Sequence, residues 1–125
     1  MAQLDDEQTQ EIIALAMNYA RSGDTRELLE FFDHGLPLDV QDGEGNTALM
    51  LAAYHGHAET VGALIERGAD VDLRNQRDQS PIAGAVFKGE DEIVRLLRTA
   101  GADLDAGTPS ARATAEMFNK TDLLA

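Results

Sequence analysis

The chain has 125 residues, 43% of them hydrophobic and 26% charged, which is the balance of a folded globular domain. It contains no cysteine, which excludes disulfides, thiolate zinc sites and a cysteine nucleophile. Its net charge of −13, from 23 acidic and 10 basic residues, disfavours binding to nucleic acid and to anionic membranes.

The N-terminal segment reads MAQLDDEQTQEII and has neither a basic region nor an uninterrupted apolar run. These features argue against a secretory signal, and no window approaches the roughly 18 apolar residues of a membrane-spanning helix. We therefore expect a cytoplasmic protein. The acidic residues are scattered, which indicates solvated helix faces and favours a monomer.

The first predicted helix covers DDEQTQEIIALAMNYA, with Asp5 or Asp6 as its N-cap. Helical spacing assigns its buried stripe to Ile12, Ala16, Tyr19 and Ala20. Gly23 then ends this helix. A second helix follows, with core residues Leu28, Phe31 and Phe32.

The chain then repeats itself with a period of 33 residues. Three sets of positions share this spacing: Gly23, Gly56 and Gly89; Gly35, Gly68 and Gly101; Thr47, Ser80 and Ala113. A period of this length is typical of stacked structural repeats.

Each repeat is predicted to be a pair of helices. In the central one, Thr47 caps a first helix through ALMLAAYH, and Gly56 ends it. The second helix, AETVGALIER, places Val61 and Leu64 on one face and stops at Gly68. SPIAGAVFK and DEIVRLLRTA fill these roles in the third repeat, and ATAEMFNKTDLLA supplies one more helix.

The segment GNTALMLAAYHGHAETVGALIERGADVD resembles the ankyrin repeat, in particular that of short bacterial proteins with three to four repeats. The resemblance implies one all-α solenoid domain of helix-turn-helix units joined by hairpin-like turns. The expected boundaries are 6–41 for an N-terminal cap, 42–74, 75–107, and 108–125 for a partial C-terminal cap. Capping repeats depart from the pattern because their outer faces meet water.

Some positions depart from the family pattern. Met50 and Ala83 stand where the family often has a histidine, and Asp78 replaces the turn glycine that Gly45 represents one repeat earlier. Gly84 lies inside a helix, where glycine costs about 1 kcal/mol relative to alanine. We interpret Gly84 as an accommodation to close packing.

His55 and His57 flank Gly56 and are the candidates for a metal or catalytic site. A pair of helical zinc ligands needs i, i+4 spacing and further donors nearby, whereas these two histidines straddle the end of a helix. We expect His57 to serve the scaffold at the start of the second helix. His55 is expected to lie on the exposed inner face beside Tyr54.

Catalytic and cofactor motifs are absent from the sequence. DGEGN, residues 42–46, contains carboxylates but lacks the spacing of a calcium-binding loop, and a tight turn explains it better. Asp91 and Glu92 stand together at a helix start, where carboxylates complement the helix dipole. The prediction is a protein without enzymatic activity, catalytic residue, metal or cofactor.

In the ankyrin family, partners bind the turn tips and the inner face of the first helices. Carried onto this sequence, these positions are Arg21, Gln41, Glu44, Asn46, Tyr54, His55, Arg74, Gln76, Arg77, Gln79, Phe87 and Lys88. Four of them are cations in an otherwise acidic chain, and two are aromatic, which are the residue types enriched in protein interfaces. The competing reading of Phe87 is that it packs only against the cap helix, around Lys120 and Thr121.

The predicted function is therefore non-catalytic binding of a partner protein through a rigid concave surface. Three alternatives stay open at this point. One is a regulatory or inhibitory subunit that acts through its acidic outer surface, and another is a metal-dependent enzyme that uses His55 and His57. The third is a designed repeat protein without a natural partner, against which the irregular Gly84 and Asp78 argue.

Overall fold

The fold is a row of helix pairs, seen in a computed structural model that describes residues 5–125. In chain order the helices are α1 Asp6–Ser22, α2 Thr25–Asp33, α3 Ala48–Tyr54, α4 Ala58–Glu66, α5 Pro81–Lys88, α6 Asp91–Thr99 and α7 Ala111–Met117. A short 3-10 helix, Thr121–Leu124, follows. No β-strand forms in the described range.

The helices stack in two layers. α1, α3, α5 and α7 pack in sequence as an inner layer, while α2, α4 and α6 pack behind them as an outer layer. Each outer helix also contacts the inner helix that precedes it. This arrangement confirms the predicted all-α solenoid.

One continuous hydrophobic core runs through the stack. Small residues such as Ala52 and Ala85 are fully buried between inner helices, which lets neighbouring helices approach closely. In α1 the predicted stripe is correct in part. Ala16 and Ala20 are buried, but Ile12 and Tyr19 are only half-buried and the buried Ile13 and Met17 lie beside them.

Side-chain caps begin the inner helices. Asp5 caps α1 in a capping box with Gln8, as predicted. The hydroxyl of Thr47 accepts from the backbone N–H of Met50, and the hydroxyl of Ser80 repeats this one unit later. Each cap satisfies an N–H that has no partner within the helix.

The interval between the N-cap residues of α5 and α7 is three residues shorter than the predicted period of 33. Ser110, not Ala113, caps α7, and the N–H of Ala113 donates to the Ser110 hydroxyl. The expected equivalence of Ala113 with Thr47 was therefore wrong, because the turn before α7 is shorter than the turns before α3 and α5.

The end of α7 confirms this shift. Asn119 has the left-handed φ of 57° that Gly89 has, at 74°, after α5. The N–H of Lys120 donates to Ala115 O just as the N–H of Glu90 donates to Ala85 O. Counting by 30 instead of 33, the structural equivalent of Phe87 is Met117 and that of Lys88 is Phe118.

Candidate binding groove

One side chain from the last turn of each inner helix stands on the same face of the stack. In order along the stack these are Arg21, Tyr54, Phe87 and Met117, and we call them the helix-end row. Tyr54, Phe87 and Met117 are 40%, 57% and 65% exposed. Large apolar side chains at this exposure, repeated along a face, are typical of a binding surface.

The helix-end row borders a groove of about 680 Å³. The turns before α3, α5 and α7 line its opposite side, and Met50, Leu51, Ala83 and Gly84 lie between the two sides. The interpretation of Gly84 as an accommodation to close packing is wrong, because a Cβ there would lie 3.5 Å from its nearest neighbour, Cδ1 of Tyr54. That is an ordinary contact distance, so alanine would also fit.

Aromatic contacts fix the orientation of the helix-end side chains. The rings of Phe87 and Phe118 lie 5.8 Å apart in an edge-to-face arrangement, one that aromatic pairs prefer. Phe87 therefore does touch the cap helix, through Phe118. More than half of Phe87 remains exposed.

Cations gather at the other end of the helix-end row. Nζ of Lys88 lies 4.9 Å from the centre of the Tyr54 ring, within the range of a cation–π interaction. The Tyr54 ring also meets the His55 ring edge-on, with 5.6 Å between centres. Arg21 extends the positive charge, and its nearest carboxylate is Asp42, at 3.9 Å.

The groove differs in charge from the molecule as a whole. Arg21 and Arg77 line it together with a single carboxylate, that of Glu44. Arg77 and Glu44 are both largely exposed and lie 3.7 Å apart, a geometry in which an ion pair contributes at most about 1 kcal/mol. Arg77 is therefore available for a partner, while Arg21 also donates to Oδ1 of Asn18 at 3.0 Å.

On the turn side of the groove, polar groups are occupied by one another. Oδ1 of Asn75 accepts from the N–H groups of Arg77 and Gln79. Its Nδ2 donates to Oδ1 of Asn46 at 2.8 Å and to Oε1 of Gln79 at 2.7 Å. Asn75 thus holds its own turn in shape and ties it to the preceding one.

Other predicted contact residues also connect the turns. Nε2 of Gln41 donates to the carbonyls of Gly45 and Arg74, and Nε2 of Gln76 donates to the carbonyl of Gly43. Arg74 forms an ion pair with Asp78 at 2.9 Å. Gln41, Arg74 and Gln76 do not line the groove.

The two histidines at the end of α3 have separate environments. Nε2 of His57 hydrogen-bonds the carbonyl of Arg21 at 2.6 Å, and its ring covers Gly23, where a Cβ would clash with it. His57 therefore fastens the second helix pair to the first. His55 is exposed and lines the groove.

Partial burial of the His55 ring holds its pKa below the ordinary value, and the positive charges of His57, Arg21 and Lys88 lower this pKa further. Both effects disfavour the protonated imidazole. His55 thus adds little positive charge to the groove at neutral pH.

The DGEGN segment, residues 42–46, is a turn, as predicted. Oδ1 of Asp42 accepts from the N–H groups of Glu44 and Asn46, both at 2.9 Å. Within residues 5–125, no three histidine, aspartate or glutamate side chains are grouped closely enough to hold a metal ion. The same range holds no helix with the length and apolar composition needed to cross a membrane.

Sequence comparison agrees with this architecture. A family model for ankyrin repeats in three copies matches residues 16–108. The chain belongs to the ankyrin-repeat family. An ankyrin repeat protein of Pseudomonas aeruginosa is 41% identical over 56 residues, which are 45% of this chain and 33% of that protein.

A second relative is acyl-CoA-binding domain-containing protein 1 of Arabidopsis thaliana, which is 35% identical over 51 residues. These residues are 41% of this chain and 15% of the plant protein. The similar segment thus spans a third or less of either relative's length.

Most of the predicted contact residues come together in the structure. Eight of them line the groove: Arg21, Glu44, Asn46, Tyr54, His55, Arg77, Gln79 and Phe87. Lys88 covers the Tyr54 ring at its edge. The prediction missed Met117 and Phe118, which an interval of 30 residues would have placed beside Phe87 and Lys88.

Proposed function

We propose that this ankyrin-repeat protein binds a partner protein through the groove between the helix-end row and the turns. Ankyrin repeats are in general protein–protein interaction modules. The observation that carries the proposal here is the exposed aromatic and methionine cluster of Tyr54, Phe87, Met117 and Phe118.

The form of the groove supports this function. Hydrogen bonds between successive turns and close packing of the inner helices hold its two sides in place. A surface that is already ordered loses little conformational entropy on binding, so its contacts contribute more of their energy to affinity. Aromatic and arginine side chains in a groove of this kind are the usual centres of binding energy.

Capture from a lysate of the source cells with a paired variant tests the proposal. We expect Tyr54→Ala combined with Phe87→Ala to abolish capture of a specific partner. Leu15→Ala is the matched control, since Leu15 is also 52% exposed but does not line the groove. Equal capture by all three proteins would refute the proposal.

The acidic outer surface is a second candidate. All but one of the 23 acidic residues lie outside the groove lining, so a basic partner would meet most of the charge there. A regulatory subunit of this kind would bind with a strong dependence on salt. Its binding would survive Tyr54→Ala with Phe87→Ala and would fail when outer acids are neutralised.

We further propose that the protein acts without catalysis, as a monomeric and cytoplasmic binding module that contacts neither nucleic acid nor membrane. Ankyrin repeats are in general non-enzymatic, and the strongly acidic composition disfavours phosphate backbones. Sedimentation equilibrium tests the monomer, and a dimer at micromolar concentration would contradict it.

A further inference from the structure

The two ends of the groove differ in chemistry. At the end formed by α1 and α3 stand Arg21 and the ammonium of Lys88, which reaches across to the Tyr54 ring. At the end formed by α5 and α7 stand the edge-to-face rings of Phe87 and Phe118, with Met117 beside them. One end therefore suits an anion and the other an apolar side chain.

We infer that the occupant of the groove is an extended peptide segment that carries an aspartate or glutamate side chain at one end and a large apolar side chain at the other. This inference rests on the proposed function and specifies the partner. The carboxylate lies between Arg21 and Lys88, and the apolar side chain lies against Phe87, Met117 and Phe118.

The spacing of the two groups follows from the stacking of the helices. The cationic end centres on α3 and the apolar end on the contact between α5 and α7. Packed helices lie about 8–10 Å apart, so the contact between α5 and α7, one and a half spacings from α3, lies about 12–15 Å from it. An extended chain rises about 3.3 Å per residue, which places the carboxylate and the apolar side chain about four positions apart.

The overall charge restricts the rest of the segment. The groove lining holds two arginines and one glutamate, whereas the whole chain carries −13. A strongly acidic partner would be repelled at long range before it reached the groove. The segment therefore has one or two carboxylates that meet the cations and is otherwise neutral or basic.

Selection from a displayed library of random twelve-residue peptides on the immobilised full chain tests the inference. We expect the enriched peptides to share one acidic and one large apolar residue about four positions apart, in either chain direction. Enrichment of peptides that lack a carboxylate would overturn the inference and leave the proposed function intact. Failure to enrich any peptide would also overturn the inference, since the groove would then bind a folded partner and not an extended peptide.

A mutant cycle then locates the carboxylate. An enriched peptide and its counterpart with glutamine in place of the acid are measured by fluorescence anisotropy against wild type and Arg21→Gln combined with Lys88→Gln. We expect the variant to weaken the acidic peptide by about three- to tenfold and the glutamine peptide by less than about twofold. Equal weakening of both peptides would overturn the inference.

Two further variants separate the two proposals. Arg26→Gln combined with Arg95→Gln removes two exposed cations of the outer helices α2 and α6 and controls for net charge, so we expect no change. Phe87→Ala should weaken both peptides by at least about tenfold. Peptides that are insensitive to Phe87→Ala bind elsewhere, and this outcome would contradict the proposed groove as well as its occupant.

Discussion

The two sides of the groove use their side chains differently. On the turn side, the polar groups of Asn75 and its neighbours form hydrogen bonds with one another and with the backbone. On the helix-end side, Phe87 and Met117 leave more than half of their surface exposed. Exposure alone therefore does not identify a contact residue, since an exposed polar side chain that is already hydrogen-bonded within the protein has few groups left for a partner.

This difference between the two sides of the groove predicts that substitutions there have different effects. Substitutions in the turns should reduce the free energy of unfolding, and those in the helix-end row should reduce affinity with little change in stability.

The largest effect is expected at Gly45, which has a φ of 82°. A Cβ there would lie 2.8 Å from the backbone N of Gln76 in the next turn. Gly45→Ala should lower the free energy of unfolding by about 2–4 kcal/mol, since left-handed strain adds to a backbone clash. Denaturant unfolding measures this.

Gly43→Ala is the matched control in the same turn. No atom lies within 4 Å of a Cβ at this position, and its φ is not positive. We expect a change within about 0.5 kcal/mol. Similar losses for both variants would show that the contact between the turns does not hold the structure.

Phe87→Ala is expected to show the opposite pattern. Affinity for a groove-binding peptide should fall by at least about tenfold, about 1.4 kcal/mol, because a central aromatic contact is lost. The unfolding midpoint should stay close to that of wild type, since Phe87 is 57% exposed. Isothermal titration calorimetry with Leu15→Ala as control measures the affinity. A large loss of stability in Phe87→Ala would contradict the assignment of Phe87 to binding.

Asn75→Ala comes next in size. It removes one acceptor and one donor group that serve four hydrogen bonds within and between the turns. Because these groups are partly exposed and water replaces some of the bonds, we expect a loss of about 1–2 kcal/mol in unfolding free energy. Peptide affinity of the folded fraction should be unchanged, and a selective loss of affinity at full stability would contradict this assignment.

The smallest effect concerns His55. Its pKa in the folded protein lies below the value of 6.5 that applies without burial, so the unfolded chain binds more protons as the pH falls through this range. Wild type should therefore lose stability below pH 6.5 through this group, while His55→Gln loses less. Unfolding free energies at pH 8 and pH 5 test this, and an identical pH dependence in both proteins would refute it.

Much of the fold followed from local sequence signals. Thr47 and Ser80 are residue types that cap helices, and Gly23, Gly56 and Gly89 take the left-handed conformation that ends them. These choices depend on short-range sterics and hydrogen bonding, so the sequence reveals them. The start of α7 carried the same signal, since Ser110 is a capping residue type and Ala113 is not, but counting by a fixed period of 33 led to Ala113.

The site was less predictable for a related reason. Sequence position correctly placed Tyr54 and Phe87 on an exposed inner face, but it could not show that Gln41 and Gln76 reach across to neighbouring turns. Such contacts join residues more than 30 positions apart and depend on how successive units stack. Met117 carried a readable signal, a large apolar residue two positions before Asn119, as Phe87 is two before Gly89.

The central claim is that the helix-end side of the groove binds the partner. Nuclear magnetic resonance of the isotope-labelled chain, titrated with an enriched peptide, tests it most directly. We predict the largest shift changes at the Met117 methyl group and the rings of Tyr54, Phe87 and Phe118. Shift changes confined to the outer helices α4 and α6 would contradict the account.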